Sequence, residues 1–210
     1  MTDRYRVEGA QGAFQPGSTD QVLAYRLGVT NPDEMAEAEL VLLEKLYEAV
    51  LLDDLPDRTL TVTDLKTWHR RWRGNVYDWA GTERSVNLSK GNFSFAAAAQ
   101  IPRLLSAFEH DYLARYTPCR DLDEGAIAEA IAVPHVEFIL IHPFREGNGR
   151  ISRLLADVMA VQAGRGPLDY SAWDADKAAY FRAIQTGMAC DYEPMTRLVE
   201  KALERGEASP

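Results

Sequence analysis

The sequence has 210 residues, of which 46% are hydrophobic and 26% are charged, and this composition is typical of one globular domain with a buried core. A net charge of -9 and the lack of a basic run argue against a direct nucleic-acid partner. The two cysteines argue against a disulfide framework and favour a reducing compartment. No segment is apolar over the length needed to span a membrane, and the N-terminus has no signal-peptide core, so we expect a cytoplasmic protein with no membrane partner.

The first part of the chain predicts a lead-in followed by two helices. Residues 1–21 are polar and rich in Gly and Pro, so we expect them to be poorly ordered. A helix is predicted from Pro32, with Asn31 or Thr30 as its N-cap, and a second helix from about Thr63. The apolar stripe of the first helix comprises Ala36, Leu40, Leu43, Leu46, Val50 and Leu51, and that of the second comprises Leu65, Trp68, Trp72 and Val76.

The second helix carries a histidine among arginines. His69 is followed by Arg70, Arg71 and, four positions on, Arg73. Positive charges close to an imidazole would lower its pKa. We interpret His69 as a packed surface histidine beside a basic patch.

Residues 84–95 form the one segment with strand character. Val86 and Leu88 alternate with polar residues, and Phe93 and Phe95 alternate again after the turn signal Lys90-Gly91-Asn92. This pattern predicts a β-hairpin. An exposed edge of such a hairpin could accept an extended segment of another protein.

The remainder of the chain predicts helices. The longest is apolar on most faces, as expected for a helix buried all round, and Pro134 should kink or divide it. His135, next to that proline, is interpreted as a structural residue. The predicted spans are residues 96–116, residues 121–141, a helix from near Asn148, a helix from Ser171 or Asp174, and residues 195–203, followed by a frayed tail at 205–210.

The junction between the long helix and the next helix concentrates reactive side chains. His142 has an ordinary pKa near neutrality and could accept a proton from an attacking hydroxyl. Glu146 is a hard oxygen ligand suited to magnesium. Gly147 and Gly149 would let a phosphate approach the N–H groups at a helix N-terminus, where the helix dipole is positive.

Two arginines complete this junction. Arg150 and Arg153 are three residues apart, hence on one helix face, and could bind successive phosphates. Each residue also has an ordinary interpretation, since His142 could cap the preceding helix, Glu146 could be an acidic residue near a helix start, and the arginines could be a solvated face. The combination within twelve residues favours a polyphosphate site over those separate explanations.

The run His142-Pro143-Phe144-Arg145-Glu146-Gly147-Asn148-Gly149-Arg150-Ile151-Ser152-Arg153 resembles the signature of the Fic domain, with every fixed position filled. The resemblance implies an all-α, mainly helical fold with a small β-hairpin flap, in a single domain of residues 22–204 with its motif loop at 142–153. It also implies transfer of AMP from ATP to a Ser, Thr or Tyr hydroxyl of a target protein. In that reaction His142 would be the general base, Glu146 would hold Mg2+, and the nest Gly147-Asn148-Gly149 with Arg150 and Arg153 would bind the phosphates.

The resemblance assigns further roles outside the motif. The hairpin would be a flap that covers the active site and pairs with the target backbone. Its turn residues Ser89, Lys90, Gly91 and Asn92 would lie against the nucleotide, and Val86, Leu88, Phe93 and Phe95 would contact the target. Tyr180 would pack near the adenine, although Met188 stands where the family often has an asparagine that contacts the base. The family also has a related Ile-His segment at the position of His69, so a supporting role for this residue near the nucleotide stays open.

Regulation is inferred from the inhibitory Ser/Thr-x-x-x-Glu-Gly/Asn helix of related proteins. The segments Thr30–Glu34 and Thr196–Glu200 match it partly, but both lack the final Gly or Asn. We therefore expect a separate small antitoxin that supplies a glutamate against Arg153. By resemblance, bacterial stand-alone members of this size act on type II topoisomerases, while secreted members act on host small GTPases. We favour the first kind of target because no export segment is recognisable.

Three alternatives stay open. A Doc-like relative would phosphorylate its target, but that branch has Asn-Lys-Arg where this chain has Asn148-Gly149-Arg150. A phosphocholine transferase would use a different nucleotide donor. A non-catalytic pseudo-enzyme would only bind peptides on its flap, which the intact motif argues against.

Overall fold

The computed structural model of the protein describes residues 6–7 and 31–208. Three short β-strands are described, namely β1 (Arg6–Val7), β2 (Leu88–Lys90) and β3 (Phe93–Ser94). The α-helices are α1 (Pro32–Tyr47), α2 (Val62–Arg73), α3 (Ile101–Phe108), α4 (Ala114–Tyr116), α5 (Glu124–Ile141), α6 (Asn148–Gln162), α7 (Ser171–Ala175), α8 (Lys177–Thr186) and α9 (Glu193–Ala208). Short π or 3-10 turns continue some of these helices, as at Glu48–Asp53 and Glu109–Leu113. The expected fold, mainly helical with a small hairpin, is confirmed.

Helix α5 is the buried centre of the structure. Its sequence is rich in Ala, Ile and Val on every face, so it packs against α3, α6, α8 and α9 together. Pro134 lies inside it, and the helix runs through this position without being divided. Because α5 ends at Ile141 and α6 begins at Asn148, the core fixes both ends of the motif loop.

Local sequence signals set the starts of α1 and α2. The Asn31 side chain accepts a hydrogen bond from the Asp33 N–H at 2.9 Å, so Asn31 is the N-cap of α1, while Thr30 lies outside the described residues. Thr61 and Asp64 form a capping box that starts α2, one residue before the predicted position. The bounds of both helices therefore follow from capping chemistry.

The apolar stripe predicted for α1 is wrong in part. Leu46 is buried, but Leu40 is 49% exposed and Ala36 is also exposed. Instead Met35 is buried, in a cluster with Val76 and Tyr77. Helix α1 lies at the margin of the fold against α2, so only a narrow face is covered.

The three strands form one small antiparallel sheet in the order β1-β2-β3. The predicted hairpin is confirmed, with Lys90 opposite Phe93 and Gly91 in the left-handed region at φ 58°. On its other side, β2 pairs with β1, with Arg6 opposite Ser89 and Val7 opposite Leu88. The N-terminal lead-in expected at 1–21 lies outside the described residues except for this strand, which the sequence pattern did not predict.

The C-terminal helix is longer than predicted. We expected a helix at 195–203 and a frayed tail from Arg205, whereas α9 runs from Glu193 to Ala208. Its buried side chains Met195, Val199 and Ala202 pack into the main core. None of the helices in the described ranges is long and apolar enough to cross a membrane.

Candidate active site

The motif loop begins with a residue in a left-handed conformation. His142 is the C-cap of helix α5, and its φ of 52° and ψ of 58° are uncommon for a residue with a Cβ. Such strain persists only where surrounding contacts fix the backbone, and it is concentrated at functional sites. The His142 N–H still donates to the Phe138 carbonyl at 2.9 Å, so the turn is anchored to the helix.

The environment of His142 fixes its tautomer and its charge. Nδ1 lies 3.1 Å from the Ile139 carbonyl, which can only accept, so Nδ1 carries the proton and Nε2 keeps a lone pair. Burial, aided by the positive charges of Arg84 and Lys90, lowers the pKa of His142 to about 3. The imidazole is therefore neutral at physiological pH and can accept a proton at Nε2.

The glycines of the loop have different roles. Gly147 has a φ of 85°, and a Cβ there would lie 2.6 Å from a ring carbon of Trp72, so only glycine fits this position. Gly149 has no heavy atom within 4 Å of its would-be Cβ. That open side leaves room for a ligand to approach the first turn of α6, where helix N–H groups lack intrahelical partners.

Asn148 holds the loop in shape from inside. Its side chain is fully buried, its Oδ1 accepts from the Phe144 N–H, and its Nδ2 donates to the Phe144 carbonyl, both at 2.8 Å. The side chain is thus occupied by the loop itself, and only the Asn148 backbone is left for the predicted nest. Phe144 is buried beneath the loop and anchors it to the core.

The two motif arginines point to different acidic partners. Arg150 Nη1 lies 3.9 Å from Glu39, and its guanidinium is 5.5 Å from the Trp72 ring centre. Arg153 makes a two-pronged ion pair with Asp174 at 2.7 and 3.3 Å and lies over the Tyr170 ring. Both arginines are on the first turns of α6, and phosphates would have to compete with these carboxylates for them.

Glu146 has the chemistry of a magnesium ligand that shares the ion with phosphate. Its side chain is one-third exposed, and Arg145 Nη1 lies 4.0 Å away. Within the described ranges, no group of three or more His, Cys, Asp or Glu residues could hold a metal by itself. A single carboxylate fits Mg2+ because this ion keeps waters and phosphate oxygens as its other ligands in nucleotide sites.

The flap turns two of its predicted target-contact residues inward. Val86 and Leu88 are buried at 5% and 2% exposure, so their side chains do not face a partner. Phe93 and Phe95 are half-buried and meet edge to face, with ring centres 5.3 Å apart. The Phe95 ring also stacks on His142, with ring centres 3.8 Å apart.

The turn of the flap reaches helix α8. Lys90 Nζ lies 4.4 Å from the centre of the Phe181 ring, a cation–π contact. Gly91 and Asn92 are exposed and Ser89 is half-buried, so the turn residues predicted to line the nucleotide are accessible.

Tyr180 lies in an aromatic cluster beside Arg153. Its ring stacks on Trp173 with centres 5.2 Å apart, and its hydroxyl is 2.9 Å from His135 Nε2. His135 Nδ1 faces the Ser152 carbonyl at 3.2 Å, so Nδ1 is protonated and Nε2 accepts from the tyrosine. His135 is fully buried, as a structural residue would be, and burial lowers its pKa to about 4.

His69 is the clearest error of the sequence interpretation. It is fully buried rather than on the surface, and its ring stacks on Phe144 with centres 4.0 Å apart. Its Nδ1 accepts from the Gly81 N–H at 2.8 Å, so Nε2 carries the proton and donates to the Glu146 carbonyl at 3.0 Å. Burial, with a smaller effect of Arg73, lowers the pKa of His69 to about 3. His69 therefore holds the main chain of the predicted metal ligand.

The sequence interpretation also overlooked Arg84. This side chain is 2% exposed and donates to main-chain carbonyls at the end of α5 and at the base of the flap. Its only sequence signal is its place at the start of the hairpin, since the carbonyls it meets at Ile141 and His142 are 57 and 58 residues away.

Comparison with known proteins finds sequence relatives of this chain. Residues 59–160 match the sequence model of the Fic/DOC family. The chain is 29% identical to a probable protein adenylyltransferase, y4lH of Sinorhizobium fredii, over 149 residues that cover 71% of this chain and 74% of that protein. It is 25% identical to the probable protein adenylyltransferase Fic of Escherichia coli over 209 residues, which cover 99% of this chain and 100% of the relative.

Solved structures show the same fold. The N-terminal Fic domain of a Bartonella effector protein from strain AR 15-3 superposes with a TM-score of 0.73 at 24% identity, covering 94% of this chain and 93% of that one. BepC of Bartonella tribocorum, solved with bound AMPPNP, superposes with a TM-score of 0.71 at 22% identity, covering 91% and 96%. The chain thus shares the fold of these solved Fic domains and contains a Fic domain over residues 59–160.

Proposed function

We propose that this protein is a protein adenylyltransferase that moves AMP from ATP to a Ser, Thr or Tyr hydroxyl of a target protein. The observation that carries the proposal is the neutral imidazole of His142, with its lone pair on Nε2, one loop away from the N-terminus of α6, where phosphates would bind. The names of the relatives as adenylyltransferases support AMP as the transferred group.

The proposed reaction is a displacement at the α-phosphorus of ATP. The target oxygen forms a bond to that phosphorus while His142 Nε2 takes the hydroxyl proton. The bond between the α-phosphorus and the bridging oxygen breaks, and pyrophosphate leaves with the electron pair. The first N–H groups of α6, with Arg150 and Arg153, would bind the negative charge, so positioning and electrostatics provide most of the catalysis.

Magnesium would be held by Glu146 together with the phosphates. When bound, it supplies positive charge that offsets the charge of the phosphate oxygens. His69 holds the main-chain carbonyl of Glu146 in place. This contact limits the positions that the Glu146 carboxylate can adopt.

The flap would dock the target as an added strand. Edge strands accept extended segments through main-chain hydrogen bonds. Here β1 already pairs with one edge of β2, so a target strand would either pair with β3 or displace Arg6–Val7. The Phe95 ring covers one face of the His142 imidazole, so a target hydroxyl would approach Nε2 in the plane of the imidazole ring.

Incubation of the protein with a cell lysate and ATP labelled at the α-phosphate tests this proposal. Wild-type protein should label a discrete target band, and His142→Ala should bind ATP yet transfer nothing. Label transfer by a folded His142→Ala protein would remove His142 as the base. The identity of the labelled band tests whether the target is a type II topoisomerase.

We further propose that the protein acts as the toxin of a toxin–antitoxin pair. The support is that neither partial inhibitory segment of the chain is complete, and that Thr196–Glu200 lies in α9 with Glu200 exposed. A small antitoxin would then place a glutamate against Arg153 in competition with Asp174. Expression of the wild-type chain alone should arrest growth and His142→Ala should not, whereas harmless expression of folded, active wild-type protein would contradict the toxin role.

A further inference from the structure

Arg84 connects the flap to the residue that carries the proposed base. Its Nε donates to the His142 carbonyl at 2.7 Å, and Nη2 donates to the Ile141 carbonyl at 3.3 Å. The same guanidinium donates to the Val86 carbonyl through Nη1 and to the Ala96 carbonyl through Nη2, the latter at 2.6 Å. One buried side chain therefore bonds to the end of α5 and to both feet of the hairpin.

The chemistry of the guanidinium group suits this place. Arginine keeps its positive charge in proteins, and its planar fork presents donors in several fixed directions at once. Main-chain carbonyls at the end of a helix are electron-rich and favour a cation. A lysine would supply the charge, but its compact ammonium could not span carbonyls on two separate segments.

Main-chain contacts run parallel to this side chain. The Arg84 N–H donates to the Pro143 carbonyl at 2.8 Å, and the Ala96 N–H donates to the Leu140 carbonyl at 3.2 Å. Within the flap, the Phe95 N–H donates to the Leu88 carbonyl at 3.1 Å. The base of the flap is thus seated on the last turn of α5, with Arg84 at the centre of the joint.

This joint fixes the position of the flap relative to His142. His142 holds its left-handed backbone conformation while its carbonyl is bonded to Arg84, and Phe95 on the flap stacks on its ring. A target strand docked on the flap would therefore place its hydroxyl beside the imidazole only while this joint is intact. We propose that Arg84 is a positioning residue that sets the register between the target-docking flap and the proposed general base.

This inference rests on the proposed function for its catalytic consequence but not for its structural one. Arg84→Lys in the full chain is the test, and Arg58→Lys is the matched control because Arg58 makes its ion pair with Asp64 on the surface. In Arg84→Lys, kcat for target labelling should fall on the order of 100-fold, because a small misplacement of the reacting groups slows a reaction by about that factor. The Kd for ATP should change much less than kcat does, since the hydrogen bonds of Arg84 go to the end of α5 and the base of the flap, whereas the N-terminus of α6 would bind the phosphates.

Amide hydrogen exchange gives a readout that needs no activity. The Phe95 and Ala96 N–H groups should exchange at least about 10-fold faster in Arg84→Lys than in the wild type and in Arg58→Lys, while core amides of α5 keep their rates. Unchanged flap exchange with unchanged kcat would overturn the proposal. A parallel loss of ATP affinity, kcat and α5 protection would also overturn it, because it would mark a general structural role.

The wild-type protein supplies a second test if Arg84→Lys does not fold. The joint predicts that the Arg84 Nε–H and the Ala96 N–H exchange in one cooperative opening, with equal opening free energies. Unrelated exchange rates for these two groups would overturn the proposal. If the wild type labels no target at all, the proposed function fails while both exchange tests still decide the role of Arg84.

Discussion

The ring of Phe95 lies on the imidazole of His142 with their centres 3.8 Å apart and their planes 24° from parallel. His142 is only 3% exposed beneath it. The flap thus contributes directly to the low pKa of the proposed base, because it keeps water from the ring.

Replacement of Phe95 by alanine should expose that imidazole. With part of the desolvation removed, the pKa of His142 should rise from about 3 towards its ordinary value of 6.5. NMR titration of the histidine ring protons measures this shift. Phe93→Ala is the control, since it removes the neighbouring flap ring and leaves the Phe95 stack in place. An unchanged His142 pKa in Phe95→Ala would show that the flap does not shield the base.

Stability should decrease at acid pH because of three buried histidines. The pKa values of His69 and His142 are lowered to about 3 and that of His135 to about 4, so on acidification the unfolded chain takes up protons first. The stability that the neutral rings contribute is complete above pH 6.5 and is lost as the pH falls towards 3–4. Asp157 opposes this loss of stability on acidification. Burial raises its pKa from 3.8 to about 6, so its protonation favours the folded state between about pH 6 and pH 3.8.

Urea unfolding at about pH 7.5 and about pH 5 measures the effect. His142→Ala removes one of the three titrating groups, so its stability should fall less steeply on acidification, by up to about 1.4 kcal/mol per pH unit. Identical pH dependence in the two proteins would contradict a neutral, buried His142.

Gly147 and Gly149 should respond differently to a methyl group. Gly147→Ala meets Trp72 and a positive φ, so it should lower stability by about 1–3 kcal/mol and impair ATP binding. Gly149→Ala has open space, so its stability should stay within about 1 kcal/mol of the wild type. Its ATP affinity should still fall, because the methyl group occupies the approach to the helix N-terminus. Calorimetric ATP binding and urea unfolding separate the two effects, and full ATP affinity in Gly149→Ala would place the phosphates elsewhere.

His69→Phe should weaken the metal-dependent part of nucleotide binding. The phenyl ring can keep the stack on Phe144, but the Glu146 carbonyl and the Gly81 N–H lose their partner, at a cost of about 1–3 kcal/mol of stability. Loss of such supporting contacts typically weakens metal binding by about 10–100-fold. Titration of the ATP-bound protein with Mg2+ measures it, with His110→Phe as the control at an exposed histidine. Equal Mg2+ affinity in both variants would contradict a role for His69 in holding Glu146.

The sequence predicted what depends on local pattern. Apolar periodicity placed the buried helix that ends at Ile141, and strand alternation around Lys90-Gly91-Asn92 placed the hairpin. Capping chemistry placed the start of α1 at Pro32, with Asn31 or Thr30 as the candidate N-cap. These features need only residues that are close together in the chain.

Features that depend on distant contacts were missed. His69 bonds to Glu146 across 77 residues, and Arg84 bonds to His142 across 58. No helical or strand periodicity distinguishes a solvated polar side chain from one that is buried against main-chain groups, so His69 was assigned to the surface by its neighbours in sequence and Arg84 was overlooked. The inward direction of Val86 was missed for the same reason, because alternation identifies two faces of a strand without saying which one meets the core.

His142 is proposed to take the proton of a target hydroxyl as that hydroxyl attacks the α-phosphorus of ATP. Parallel reactions with ATP labelled at the α-phosphate and at the γ-phosphate, each with wild-type protein and with His142→Ala, test this role. We predict that only the α-label appears on the target protein, that mass spectrometry finds the mass of AMP on a hydroxyl side chain, and that His142→Ala transfers neither label. Transfer of the γ-label, or α-label transfer that survives in a folded His142→Ala protein, would contradict the account.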